Sequence, residues 1–356
     1  MEKFQKLQKI KGCFQEKALQ QSRGRREKEN NLLASSALIN EIDPFALDVQ
    51  KIINSKSFRR LNGKTQVFAF PENVLIRNRL IHTLEVKSIA ETIATILGLN
   101  VSLVGAIAAG HDLGHTPFGH LGERFIQKNY DESFRHEIFG LTVAEKIERK
   151  GLGLNLLFET LEGITYHSRG TGEANITNNI PMEYNVVMLA DKIAYLFSDI
   201  NDTSRLKRFT KKIPKELYFL GENQRERVDN CITSLCLESA QEGSLSFKKS
   251  TQSQAFKSLR YWMIKNFYLV MDEEKERVLL WDKVLKTAMF LENILGISKK
   301  QIPVILASMT DQEVNILASI DYQSTIDDIK KIERMGFHEI IPYCPKTLFT
   351  KEKILW

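Results

Sequence analysis

Ten residues, His111-Asp112-Leu113-Gly114-His115-Thr116-Pro117-Phe118-Gly119-His120, gather three histidines and an aspartate in a chain that has only seven histidines among 356 residues. His82, His136 and His167 flank the cluster, and His338 alone lies far from it. Imidazole and carboxylate suit the divalent metals of hydrolytic sites, with no need for soft thiolates. An adjacent His-Asp pair can bind one such ion when other helices supply the remaining ligands. An unperturbed imidazole titrates near about 6.5, so the two further histidines of the loop are placed to handle protons at neutral pH. The chemistry indicated is metal-assisted hydrolysis.

The elements that must position these residues read as helices. From His82 onward, Val86, Ile89, Ile93 and Leu97 recur at helical spacing, which puts His82 on the inward face of its own helix. Residues 101–110 are small and apolar nearly all round, as befits a central buried helix, and they deliver His111-Asp112 at their C-terminal end. Gly114 and Pro117 interrupt that helix, so His115 and His120 fall on a loop and the start of the next helix. A third helix, over 182–202, carries Asp191, Tyr195 and Asp199 at successive i, i+4 positions and hence on one stripe. An aspartate inside Val186-Val187-Met188-Leu189-Ala190-Asp191 is costly to bury unless paired or bound to a cation.

Composition sets the frame. With 43% hydrophobic and 26% charged residues and a net charge of +6, the chain reads as a globular protein of about two domains. A basic surface fits an anionic ligand or polyanion, although a merely solvated face is the commoner meaning. Met1-Glu2-Lys3-Phe4-Gln5-Lys6 lacks an apolar run and no segment reaches membrane-spanning length, so a cytoplasmic protein without membrane partners is expected. The four cysteines follow no metal-binding pattern and are expected as reduced thiols. The expected organisation is a basic, partly helical N-terminal arm at 1–42 that carries Arg23-Gly24-Arg25-Arg26, a helical core at 43–208, and a C-terminal helical region at 209–356. Within the last, helical segments are expected around 225–240, 254–270 and 276–295. Strand signal is confined to short pieces such as Thr65-Gln66-Val67-Phe68, and the fold class is all-α.

Several segments together resemble the HD-domain deoxynucleoside triphosphate triphosphohydrolases, the group containing bacterial dGTPases and the animal SAM-and-HD-domain dNTP hydrolase. They are Ser57-Phe58-Arg59-Arg60-Leu61, Lys64-Thr65-Gln66-Val67-Phe68, Arg77-Asn78-Arg79-Leu80-Ile81-His82-Thr83-Leu84-Glu85-Val86, residues 110–123, Gly153-Leu154-Asn155-Leu156, Ala190-Asp191-Lys192-Ile193-Ala194-Tyr195 and, more faintly, Met309-Thr310-Asp311. A bare His-Asp pair is weak evidence. The Lys-Thr-Gln-Val run upstream of Arg-x-x-His, followed by the histidine-rich loop, is far more specific.

The resemblance implies an HD-domain helical fold and a metal, Mg2+ or Mn2+ with Fe, Co or Zn as further candidates, held by His82, His111, Asp112 and Asp191. For one histidine on an apolar face, core packing is usually the better reading. Ionisable groups pointing inward from three separate helices argue against it here. The resemblance also places His115, His120, Glu123 and His136 around the scissile phosphate. The expected division is His115, supported by Glu123, for the proton transfers, His120 for the α-phosphate, and His136 as the opposite wall. Taken alone, His136 is as readily a surface residue, and His167 is better explained by packing.

A triphosphate carries about four negative charges at neutral pH, so further cations are required. Arg79 and Lys192 are well placed, and Arg60 and Lys64 less so, since most charged helix residues face solvent. By resemblance, Gln66 would contact the deoxyribose, Tyr195 would stack where a 2′-hydroxyl would fall, and Asp199 would accept from the 3′-hydroxyl. Lys192 and Glu137 depart from many bacterial members and lean towards the animal branch, yet no SAM domain is expected ahead of the core. The implied activity cleaves a dNTP, with dGTP among the substrates, to deoxynucleoside and tripolyphosphate in a homo-oligomer, a tetramer or hexamer. Competing readings are another HD phosphohydrolase, acting on a nucleotide phosphodiester or a single-stranded nucleic-acid end, or a nucleotide sensor. The basic arm makes single-stranded nucleic acid a candidate partner.

Overall fold

Two asparagines and one glycine define the helices that lead into the histidine cluster. In the computed structural model, which describes residues 2–25, 42–168, 176–177, 179–271, 275–320 and 332–345, α4 (Arg79–Leu97) starts where the Asn78 side chain accepts from the Ile81 amide at 3.1 Å. It stops at Gly98, whose φ of 80° suits a left-handed helix terminus. Asn100 then caps α5 (Val101–Gly110) by accepting from Leu103 at 2.9 Å. From Leu103 to Gly110 every residue of α5 is buried, as the small apolar run required.

The preceding elements are α1 (Glu2–Ile10), α2 (Pro44–Ile53) and α3 (Lys56–Arg60). After the loop come α6 (His120–Asn129), α7 (His136–Thr142), α8 (Phe158–Tyr166) and the long α9 (Met182–Arg205). The rest comprises α10 (Glu216–Leu220), α11 (Gln224–Glu242), α12 (Thr251–Met263), α13 (Leu269–Met271), α14 (Lys275–Asn293), α15 (Ile302–Ser308) and α16 (Asp311–Ala318). The fold is all-α. The helices expected around 225–240 and 276–295 are present as α11 and α14. The one around 254–270 is α12, extended through a wider π turn at 264–268 into α13.

Helix α5 packs against α2, α4, α8 and α9, and the two apolar clusters of the core meet along it. Ile107 and Ala108 belong to the cluster formed with α4, α9, α11 and α12. Ala109 and Leu113 belong to the other, with Phe118, Phe125, Leu161, Leu291 and Val314. The chain leaves α5 at that junction, so His111-Asp112 emerges where both halves of the core converge.

No strand is present among the described residues. The segment around Thr65 makes one isolated bridge, Thr65 to Asn78, because the Thr65 amide is taken by the Asp311 carboxylate at 2.8 Å rather than by a neighbouring strand. Residues 2–25 lie along the body: α1 packs on α4 and α11, and Phe14 is buried. Arg25 pairs with the buried Asp48, whose other oxygen accepts from the Leu157 amide and the Thr160 hydroxyl. Breaking such a buried pair by removing one partner costs about 3–5 kcal/mol. Arg23 stacks 3.4 Å above the Phe158 ring. Arg26 and the rest of the expected arm, to residue 41, lie outside the described residues. None of the described helices is long and apolar enough to cross a membrane.

Candidate metal centre and catalytic loop

His82 comes from the first turn of α4, His111-Asp112 from the end of α5, and Asp191 from the middle of α9. Ring nitrogens of His82 and His111 and an oxygen of Asp112 lie within 4.8 Å of one another. Asp191 Oδ1 stands 3.0 Å from His82 Nε2, which brings the fourth residue in. His111 Nδ1 lies 2.7 Å from the Ala108 carbonyl oxygen. A carbonyl only accepts, so Nδ1 carries the hydrogen and Nε2 keeps a lone pair. That Nε2 is buried with no hydrogen-bond partner, 3.6 Å from Asp112 Oδ2. An orphaned acceptor of this kind is costly unless something binds it, and a second atom holding the opposite ring nitrogen is the usual companion of a ligating histidine.

Burial opposes ionisation of both carboxylates but loses in each case. The Arg79 guanidinium, 2.7 Å away, holds Asp112 well below the ordinary range. The hydrogen bond from His82 and then the His82 charge hold Asp191 low. His82 is raised despite its burial, because Asp191 stabilises its protonated form. Two ionised carboxylates and two imidazoles, each with a buried ring nitrogen that has no hydrogen-bond partner, fit a divalent cation.

The loop histidines form a continuous row with this group. Ring centroids are 5.6 Å apart for His82–His111, 5.1 Å for His111–His167, 5.4 Å for His167–His136 and 4.5 Å for His136–His115. His120 completes the row at 5.0 Å from His115. The loop can lie this close to α7 only because Gly114 has no side chain. A Cβ there would stand 2.2 Å from both the Gly140 nitrogen and the His136 carbonyl oxygen.

The support expected from Glu123 for His115 goes elsewhere. In α6 the i, i+3 spacing puts Glu123 beneath His120, whose Nδ1 lies 3.0 Å from the carboxylate. The same oxygen takes His136 Nδ1 at 3.0 Å, and the other accepts from the His136 amide at 3.1 Å. His115 instead stacks on the His136 ring and keeps a buried, unpartnered Nδ1. Burial disfavours charge on both rings. At His136 the Glu123 carboxylate overcomes it and raises the imidazole to about 9. At His115 nothing does: burial, then the Arg79 and His136 charges, push it well down. Glu123 itself is held strongly ionised, against its burial, by His136 and His120.

His136, ambiguous in sequence, is buried by the fold. His167, expected as a packing residue, sits between His111 and His136 in the row. The signal that would have found it is positional. Like His111 after α5, His167 directly follows a helix that is buried along most of its length and turns its Nδ1 back to the carbonyl three residues earlier, that of Ile164. Burial, with the His136 charge beside it, lowers it to about 3.

Along α9, Tyr195 and Asp199 follow Asp191 on the expected stripe, and each meets a residue from the C-terminal region. Arg260 Nε donates to the Tyr195 hydroxyl at 2.6 Å, and the Tyr268 hydroxyl donates to Asp199 Oδ2 at 2.5 Å. Burial pushes Asp199 up to about 7. Arg260 and Tyr268 escape sequence reasoning, since no motif marks α12 or the turn after it. Lys192 is buried beside Asp191 and helps to hold it ionised. Gln66 Oε1 is buried and unbonded. Arg60, expected as a phosphate cation, is committed elsewhere: it donates to the Ser308 carbonyl at 2.7 Å and pairs with Glu313. Lys64 is equally engaged, by the carbonyls of His115 and Ala307.

The HD domain family model matches residues 79–196, the segment that contains all four residues of the candidate metal group. A deoxyguanosinetriphosphate triphosphohydrolase-like protein of Caldanaerobacter subterraneus is 38% identical over 284 residues, covering 75% of this chain and 81% of its own. One from Clostridium tetani is 40% identical over 242 residues, 65% of this chain and 69% of its own. One from Wolinella succinogenes is 42% identical over 178 residues, 45% of this chain and 49% of its own. HD domains are metal-dependent phosphohydrolases, and the orphaned His111 nitrogen beside two ionised carboxylates accords with that. By sequence, by helical fold and by site, the chain belongs to the HD-domain family of deoxyguanosinetriphosphate triphosphohydrolase-like proteins.

Proposed function

We propose that this protein is a divalent-metal-dependent dNTP triphosphohydrolase that releases a deoxynucleoside and tripolyphosphate, with dGTP among its substrates. The observation that carries the reading is the continuity of one row of side chains. The candidate metal group passes through His167 into the Glu123-bound histidines on one side and along α9 to Tyr195 and Asp199 on the other.

His82, His111, Asp112 and Asp191 would hold Mg2+ or Mn2+, which supplies Lewis-acid polarisation at the phosphate. The opposite shifts of two stacked imidazoles divide the proton work. His115, kept neutral, accepts the proton of the attacking water. His136, kept cationic by Glu123, returns a proton to the leaving 5′-oxygen, which would otherwise depart as a poor alkoxide leaving group. His120, more exposed and tethered to the same carboxylate, faces the α-phosphate. Arg79 and Lys192 supply positive charge for the remaining phosphates. On the sugar side, Gln66 has a free acceptor for the deoxyribose, the Tyr195 ring occupies the space an additional 2′-oxygen would need, and Asp199 receives the 3′-hydroxyl. Release of Asp199 from Tyr268 accompanies that exchange.

Product analysis tests the reading. Purified protein with Mg2+ or Mn2+ is given each of the four dNTPs, singly and mixed, and the products are resolved by ion-exchange chromatography. Deoxynucleoside and tripolyphosphate in equal amounts are expected. Pyrophosphate or orthophosphate as the primary inorganic product would overturn the assignment and favour another phosphohydrolase chemistry.

A further inference from the structure

Asp311, the first residue of α16, lies outside the 79–196 segment and has no part in the chemistry above. Its carboxylate is buried and takes three hydrogen bonds: from the Thr65 amide at 2.8 Å, from the Thr65 hydroxyl, and from the Phe118 amide at 2.9 Å. Each donor adjoins a residue of the candidate site. Thr65 immediately precedes Gln66, and Phe118 is followed by Gly119-His120.

The Phe118 turn needs holding. Phe118 has φ of 57°, a region that bulky side chains avoid at a cost of order 1–3 kcal/mol. Such a conformation persists only where its surroundings enforce it. Here the ring is fully buried and meets Phe70 edge-on at 5.8 Å, while the amide is bound by Asp311. Gly119, at φ 62°, then sits between two parts of the site. A Cβ on it would lie 3.3 Å from Arg79 Nη2 and 3.4 Å from the Gln66 carbonyl oxygen. Beside this, Lys64 Nζ joins the carbonyls of His115 and Ala307, so the 307–311 segment meets the loop at two places.

We propose that Asp311 is a positioning residue: by binding Thr65 and Phe118 together it sets the register between the Gln66 segment and the His115–His120 loop, hence between the sugar side and the phosphate side of the cleft. A carboxylate at the start of a helix also stabilises that helix. That role alone would alter stability and leave the rate per folded molecule unchanged.

The test compares Asp311→Asn, Thr65→Val, Thr65→Ser and Glu313→Gln in the full-length protein. The amide of Asp311→Asn turns a donor towards one of the three donors it must accept. With the loop displaced by a fraction of a bond length, kcat falls by about a hundredfold, because misplacement near 1 Å carries losses of that size. KM changes by less than about threefold, the pattern of a defect realised in the transition state. Metal content is unchanged. Thr65→Val, which removes only the hydroxyl, lowers kcat by about tenfold, and Thr65→Ser restores it. Glu313→Gln, which removes the charge that pairs with Arg60 and faces the N-terminus of the same helix, lowers Tm with kcat intact. Imidazole NMR resonances of His115 and His120, read without substrate, move in Asp311→Asn and stay in Glu313→Gln.

The rate arm rests on the phosphohydrolase reading; the NMR arm does not. A wild-type protein inactive on every dNTP would reject that reading, and shifted histidine resonances in Asp311→Asn would still support the positioning role. The proposal is overturned if those resonances do not move, if Asp311→Asn loses only Tm, or if Thr65→Val matches Thr65→Ser.

Discussion

Asp112→Ala is expected to eliminate turnover and to weaken the fold at once. Asp112 and Arg79 are 3% exposed each and 2.7 Å apart, so truncating the carboxylate leaves a guanidinium buried without its counter-charge. The stability cost of that is about 3–5 kcal/mol. On the proposed ligand set, a bound cation would lose one of two ionised ligands, and His111 Nε2 would lose the neighbour with which it shares the ion. Asp112→Asn separates the two effects. Its side-chain oxygen can still accept from Arg79, so the fold keeps more of its stability while the charge that holds the ion is gone. Chemical denaturation, metal analysis after dialysis and dNTP turnover are measured side by side. Both variants should lose the metal and the activity, and Asp112→Ala should lose more stability than Asp112→Asn. A fully active, metal-replete Asp112→Ala would remove the centre from the mechanism.

Glu123→Gln should lower the rate by about 10²–10⁴-fold, the range attached to a positioned acid or base. It acts on two imidazoles at once, since one carboxylate oxygen faces the Nδ1 atoms of both His120 and His136. The pH signature is specific. His136 is raised from about 6.5 to about 9 in the fold. A group raised on folding stabilises fully below its unfolded value and loses that stabilisation as pH climbs through the folded one. Wild-type protein should therefore lose stability between about pH 6.5 and about 9. In Glu123→Gln that alkaline slope should flatten, because the charge that raised His136 is absent. Denaturant titrations across this window, with the His136 resonance followed by NMR, measure it. An unchanged slope and an unchanged rate would show that Glu123 serves packing only.

Residues that stand close in the chain or repeat along one helix are legible in the sequence. The apolar run ahead of His111 reads as a buried helix, and the spacing behind His82 fixes the face that this histidine shows. Asp191, Tyr195 and Asp199 must share a stripe on any helix that carries them. What stays hidden depends on distant segments meeting. The i, i+3 spacing from His120 makes one partner of Glu123 readable, but its second partner, His136, arrives from a separate helix. Arg260 and Tyr268 belong to segments whose sequences look like ordinary surface and core, and Asp311 stands in a segment that the sequence marks only faintly. Their roles arise from which residue faces them, and periodicity carries no such information. Arg60 shows the converse: its motif suggests phosphate, but tertiary packing commits it to Glu313 and the Ser308 carbonyl instead. The Thr65 segment fails as a strand for the same reason, its amide being claimed by a carboxylate 246 residues away.

The most direct examination of the central claim is anomalous X-ray scattering from crystals grown with Mn2+ and a non-hydrolysable dNTP analogue. One manganese peak is expected, within bonding distance of His82, His111, Asp112 and Asp191, with the deoxyribose against Tyr195 and Asp199. Manganese density elsewhere, or a nucleotide bound away from Tyr195 and Asp199 while the quartet stays empty, would contradict it.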